Sequence, residues 1–389
     1  MSIWEQKSDL EKTSSTPPQA KPLRRLTLVI GIGLLLLFGL LLSQSRTTYP
    51  TQILAAPAAS CSDGNFPTSI LTDTTLSGDL FVTGNVDVKD GATLTLDPGT
   101  RVTMCGLYNI EFNDGALNAI GTAQNPIVFE GETPSTAWDS LLFNGNAAPL
   151  PPSTLRHVII DGGGSDTGDD EASIRIYAAY GTTDPGIVLE NVTVRNSDAY
   201  GISVRLDDSD PTPPLLSNLT ITNSAKAPML FWAAAVVGLG TGNTFSGNGE
   251  DVIEVRAGVV LGGRIYNSQT WLKQPISYRL VPEFGGLNVD ADNATDPYPT
   301  LTLAPGTSFE MDPEFEIIVR KGSLVAKGTP AEPISFEAWD PTQPWHRIYV
   351  DTSSSETPAP ILSHVTLDGG GGSNLNGDDG VIHFRGETL

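Results

Sequence analysis

From Leu71 onward, apolar residues alternate with polar ones over three to five positions and then stop at Gly, Asn, Asp or Pro. That period of two predicts short strands closed by tight turns. Thr93-Leu94-Thr95-Leu96 is one such strand, and Leu117 to Ile120, Ile127 to Phe129, Leu141 to Phe143 and Val158 to Ile160 follow. No sustained apolar period of 3.6 appears after residue 43. Ala233 to Val237 is the one run with helical character, and Gly238 and Gly240 end it.

The strands recur. Asn191-Val192-Thr193-Val194-Arg195-Asn196-Ser197 returns 27 residues on as Asn218-Leu219-Thr220-Ile221-Thr222-Asn223-Ser224. Asn243-Thr244-Phe245-Ser246-Gly247-Asn248 is a third version. A longer repeat has an offset of 207: Thr93-Leu94-Thr95-Leu96 becomes Thr300-Leu301-Thr302-Leu303, Trp138 becomes Trp345, and His157-Val158 becomes His364-Val365. Asp161-Gly162-Gly163-Gly164 likewise becomes Asp368-Gly369-Gly370-Gly371. Periods in the twenties suit one turn of a parallel β-helix, in which each coil gives two or three strands and stacks at about 4.8 Å on the next. The expected fold is therefore an all-β solenoid of about a dozen coils, on the order of 55–60 Å long. Asn and His at equivalent bends read as turn residues. A solenoid needs a cap over each end, and no capping element is visible in the sequence.

The run Gly91-Ala92-Thr93-Leu94-Thr95-Leu96-Asp97-Pro98-Gly99-Thr100 resembles the opening of bacterial surface proteins built from right-handed parallel β-helix repeats. Leu117-Asn118-Ala119-Ile120-Gly121-Thr122-Ala123-Gln124-Asn125-Pro126-Ile127-Val128-Phe129 is the most specific part, followed by a tryptophan turn at Trp138 and the Leu155 to Gly164 strand. The resemblance covers roughly residues 75–262 and 276–389. It implies a right-handed parallel β-helix of the pectin-lyase-like superfamily, which includes polysaccharide lyases and hydrolases as well as adhesins and spikes. Activity does not follow from it, since fold does not fix function.

The first 69 residues have another character. Residues 1–25 are a polar tail, and the run from Leu26 to Leu42 has no charge and no proline. As a helix it would span about 26 Å, enough for a bilayer core, so residues 26–42 read as a transmembrane signal anchor or a cleaved signal peptide. Five Lys/Arg precede the run and only Arg46 follows closely, which puts the remainder outside the cytoplasm. Residues 43–69 read as an extracellular linker, 70–268 as a first β-helix module and 269–389 as a second, apparently incomplete one. The expected setting is the bacterial cell membrane with an extracellular domain, or secretion.

Charge narrows the partners. The chain has 389 residues and a net charge of −23. The first 43 residues carry five Lys/Arg and three Asp/Glu, which leaves −25 on the exported part. Nucleic acid is therefore not expected, because phosphate contacts need cations. Two cysteines, Cys61 and Cys105, lie in the exported part, where a disulfide or two buried thiols are the alternatives.

Candidate chemistry is sparse. The acidic, glycine-rich loop from Asp161 to Glu171 offers Asp161, Asp166, Asp169 and Asp170 as calcium ligands, since calcium takes six to eight oxygens from a pliable loop. No cofactor other than calcium is suggested, and solvated turns are the plainer reading. Asp169, Asp170, Arg195 and Asp207 are the catalytic candidates for a lyase or hydrolase, which needs a base or paired carboxylates at a sugar bond. Trp232 and Tyr180 are the candidates for stacking on sugar rings. The leading expectation is a non-catalytic surface protein binding a polysaccharide or another cell surface. A polysaccharide lyase or glycoside hydrolase and a structural stalk are the alternatives.

Overall fold

The computed structural model describes residues 60–146, 151–165, 168–207, 212–258, 263–291, 296–351, 359–372 and 380–385. The anchor at residues 26–42 lies outside them. Pro57–Leu389 forms one compact unit.

Its architecture is a parallel β-solenoid. Each coil lays one strand on each of three faces, and every pairing between named strands is parallel. The first face is one continuous twelve-stranded sheet, called the long sheet below. The second and third faces are interrupted. They consist of six- and seven-stranded sheets over the first coils and five- and four-stranded sheets over the later ones. Eleven inter-strand steps of about 4.8 Å make the long sheet on the order of 50–55 Å across its strands.

Alternation in the sequence is alternation in burial. Leu94 and Leu96 point inward and are fully buried while Thr93 and Thr95 are half-buried, and Val86 and Val88 flank Asp87 in the same way. Inward residues stack on their counterparts one coil away. Phe112 stacks on Phe143 at 4.7 Å, and Tyr278, Phe309 and Phe336 form a pile with spacings of 5.6 and 4.8 Å. Each fully buried side chain of this size contributes roughly 1.5–3 kcal/mol. Trp138, Trp271 and Trp345 are fully buried core residues too.

Columns of left-handed residues turn the chain between the second and third faces. His157, Asn191, Asn218 and Gly242 have φ of 49°, 55°, 53° and 80°. The pairing register of the strands that follow them stacks them one above another. Asn and Gly tolerate this conformation best, and the histidine is a bend residue, as its position opposite Asn191 implies. At the far end of the same strands Gly162, Asn196, Asn223 and Gly247 form a second such column.

The helical run is a short 3-10 helix, Ala233–Gly238, standing where a second-face strand would be. It coincides with the interruption of both sheets. The 207-residue offset is not a whole number of coils. Thr93–Leu96 is in the six-stranded sheet on the second face, but its counterpart Thr300–Leu303 is on the third face. Arg101–Met104 is on the third face, and Ser308–Met311 is in the long sheet. The second copy is thus rotated one face onward about the solenoid axis.

The first coil does have a cap, which the sequence did not reveal. Asn65 Nδ2 donates to Asp79 O at 2.9 Å, and Phe81 N donates to Asn65 Oδ1 at 2.7 Å. The side-chain amide thus does for the edge strand Asp79–Val82 what a neighbouring peptide unit would do. Phe66 N donates to Phe81 O at 3.3 Å and its ring closes the core. Cys61 and Cys105 are joined as a disulfide that ties this leader to the second coil.

Candidate functional site

The long sheet carries charge on its outer side. Along the strand Ala172–Ala178, Ile174 and Ile176 point inward, so Arg175 and Tyr177 point out. The next strands place Arg205, Trp232 and Arg256 in the same outward column as Tyr177. Arg205 lies between two aromatics: its guanidinium carbon is 5.5 Å from the Tyr177 ring centre and 4.3 Å from that of Trp232. Both are within cation–π range.

Carboxylates interleave with this column. Arg205 Nε donates to both oxygens of Asp207, at 3.1 and 3.0 Å, and its Nη1 is 3.7 Å from Asp170. Asp170 also accepts from Arg256. Arg256 belongs to a strand three places along the sheet from Ala172–Ala178, about 14 Å away, so the acidic loop lies over the outer face. Asp169 O accepts from Arg256 Nη2 and Lys226 Nζ at 3.3 and 3.4 Å. Arg256 also meets Glu254 at 3.3 Å, and Glu254 accepts the Tyr200 hydroxyl at 2.8 Å. Arg175 pairs with Glu171 at 3.1 Å.

The protonation states follow from these contacts. Burial works against the charge of Arg256, but Asp170 and Glu254 outweigh it and raise its pKa further. Arg205 behaves likewise, with Asp207 as the chief counterweight to burial. Burial pushes the Tyr200 hydroxyl up, and Glu254 adds to this, so it stays a donor.

A second group lies further along the same face. Arg279 covers Trp339 at 4.0 Å, binds Asp312 at 2.7 Å and reaches Glu250 at 2.7 Å. Beside it Glu310 stands opposite Glu337 in the sheet register. Burial raises the Glu310 pKa, Glu337 and Glu250 add to the rise, and Ser277 and Arg279 oppose it.

The sequence-predicted residues divide between two faces. Asp170 and Asp207 meet at Arg205, with Asp169 contributing its carbonyl nearby. Arg195 is not with them: it lies on the third face, where Nη2 binds Asp161 at 2.7 Å. The catalytic quartet is therefore not one constellation, and the arginines beside the acids are Arg205 and Arg256. Asp161 also accepts from Asn196 at 2.7 Å. Among the described residues no three Asp, Glu, His or Cys side chains form a metal-binding group, and Asp166 lies outside those residues. Tyr180 is 71% exposed, while Trp232 is only 3% exposed beneath Arg205 and is not an open platform.

Sequence reasoning missed Arg256, Glu254, Tyr200, Arg279 and Trp339. A signal existed for some. Ser203-Val204-Arg205 and Glu254-Val255-Arg256 put polar residues at the outward positions of strands whose inward residues are apolar.

The chain matches no family model, no curated protein and no solved structure.

Proposed function

We propose that this is an exported surface protein that binds an extended glycan along the outer side of its long sheet. The observation that carries the proposal is the column Tyr177–Arg205–Trp232–Arg256, in which flat aromatic and guanidinium groups alternate and carboxylates flank them. Aromatic faces stack on the apolar faces of pyranose rings, while planar carboxylates and guanidinium groups supply paired acceptors and donors for hydroxyls. The long sheet is also the one face with a single, unbroken sheet. A parallel stack repeats its side chains at a regular spacing, which suits a polymer better than a small ligand. In this reading residues 26–42 anchor the protein in, or deliver it through, the membrane, with a right-handed pectin-lyase-like β-helix outside.

Catalysis is the second reading, because Asp170 and Asp207 converge on one arginine, Arg205. One experiment separates the two. The full chain is incubated with plant, algal and bacterial polysaccharides with and without calcium. Retention on the polymer and release of shortened chains are both measured. Retention of intact polymer that Tyr177→Ala abolishes and Arg205→Ala alters supports binding. Shortened products with new reducing or unsaturated ends replace it with catalysis. No retention of any polymer, or retention indifferent to both substitutions, refutes the proposed face.

A further inference from the structure

Trp232 presents a problem of hydrogen bonding. Its residue is 3% exposed, yet its indole Nε1 has no hydrogen-bond partner. It differs in this from the core tryptophans Trp138 and Trp345, which donate to Asp161 O at 3.1 Å and Asp368 O at 2.8 Å. Trp271 donates to Gln269 at 3.1 Å. A buried donor without an acceptor is costly and uncommon. Trp232 is not part of the inner core either. It alternates with the inward Phe231 and shares its outward column with Arg256.

We infer that Trp232 is the central subsite of the glycan face, closed in the unliganded protein by Arg205, and that it takes an uncharged sugar through a hydroxyl or acetamido oxygen. This rests on the proposed glycan-binding face. The Arg205 guanidinium lies over the indole at 4.3 Å, and its side chain is the more exposed of the pair. Asp170 and Asp207 pair with the guanidinium at 3.7 and 2.9 Å, and Tyr177 offers it a second aromatic surface at 5.5 Å. Displacing the guanidinium from the indole toward Tyr177 would open the ring face. An entering sugar then replaces the guanidinium on the indole and gives Nε1 its acceptor.

The charge of the acceptor follows from its surroundings. A carboxylate or sulfate would have to come among Asp170, Asp207, Glu254 and Glu283, with Arg205 and Arg256 already engaged by those same acids. Like charges at such spacing disfavour an anion. A neutral oxygen satisfies the indole without that repulsion. Polyuronates and sulfated glycans are thus excluded as ligands of this subsite, and neutral or N-acetylated ones fit it.

The test uses the full chain with 15N-labelled tryptophan, in which the Trp232 indole signal is identified as the one lost in Trp232→Phe. Tetramers of N-acetylglucosamine, glucose and galacturonate are titrated in. The expected result is a saturable shift of the Trp232 indole proton with a neutral tetramer and none with galacturonate. Trp232→Phe keeps a ring but no donor, and should bind the neutral tetramer roughly two- to tenfold more weakly. Arg205→Lys removes the planar cover and should speed exchange of the Trp232 indole proton in the free protein. A galacturonate-induced shift of equal size overturns the inference, and so does a neutral tetramer that binds without moving Trp232. In the latter case a loss of binding in Tyr177→Ala leaves the face standing without its subsite. If no tetramer binds, face and subsite fall together.

Discussion

Asn196 combines the two devices that turn this chain, so it gives the sharpest test of the fold argument. Its φ is 57°, in the left-handed region. Its side chain joins three coils: Nδ2 donates to Asp161 Oδ1 at 2.7 Å, and Oδ1 accepts from Asn223 Nδ2 at 3.3 Å. Asn196→Ala loses both bonds and places a Cβ-bearing residue without a local polar group in that conformation. The conformational term is about 1–2 kcal/mol. Two exposed hydrogen bonds add roughly 1 kcal/mol together, for a total of about 2–3 kcal/mol. Asn196→Gly loses the same bonds but not the conformational freedom, and retains an entropic penalty of roughly 0.5–1 kcal/mol. Glycine should therefore be the milder replacement by about 1 kcal/mol. Urea unfolding measures the order of the two variants. Hydrogen exchange checks that the loss is centred on the coils bearing Asp161, Asn196 and Asn223, since solenoids unfold by neighbouring coils. If the glycine variant is as unstable as the alanine variant, backbone handedness does not govern the bend.

Removing the Cys61–Cys105 disulfide, which spans 44 residues, should cost up to about 4 kcal/mol by loop entropy and should show as fraying of the first coil in hydrogen exchange. Gly286→Ala would drive a Cβ into the Glu316 carbonyl oxygen, and overpacking of that kind should cost about 3 kcal/mol or more in thermal unfolding. Glu310 has a raised folded pKa, so the folded state holds its proton more tightly. Its stabilisation is full below the unfolded value of 4.5 and is lost as pH rises through the folded value. Glu310→Gln should accordingly raise the melting temperature at neutral pH and lose that advantage in acid. A constant difference across the range would refute the assignment.

Much of the fold was legible because a solenoid repeats local rules. Alternation such as Thr93 to Leu96 tells which side chains go inward, and bend residues such as Asn191 and Asn218 tell where the chain turns. Neither depends on distant neighbours. The cap was not legible, because Asn65 acts through a backbone edge 14 to 16 residues away, and no short pattern marks it. The site was only partly legible for the same reason. Asp170 and Arg256 are 86 residues apart and meet only because three strands and a loop intervene in the right register. Arg195 looked close to Asp169 and Asp170 in sequence, yet its strand on the third face pairs it with Asp161 at the other end of the loop.

The two copies share local structure but not surface chemistry, because the same strand pairing carries different outward residues. Trp138 and its counterpart Trp345 make the same contact, each donating to the carbonyl of an equivalent aspartate. Such contacts lie within a few strands of one copy and survive any rotation. Outward pairs depend on what is stacked beside them. In the first copy Glu130 lies on the third face opposite Thr103 and pairs with Arg101. In the second copy those positions are Glu337, Glu310 and Ser308, and they belong to the long sheet. The cation is gone and two carboxylates face each other. The compensating charge comes instead from Arg279, on the neighbouring strand Tyr278–Phe284 of the same sheet. A face that continues from one copy into the next thus takes its chemistry from stacking neighbours. The Tyr177–Arg205–Trp232–Arg256 column likewise owes its chemistry to the strands stacked on one another in the long sheet, since each of its side chains meets partners from a neighbouring coil.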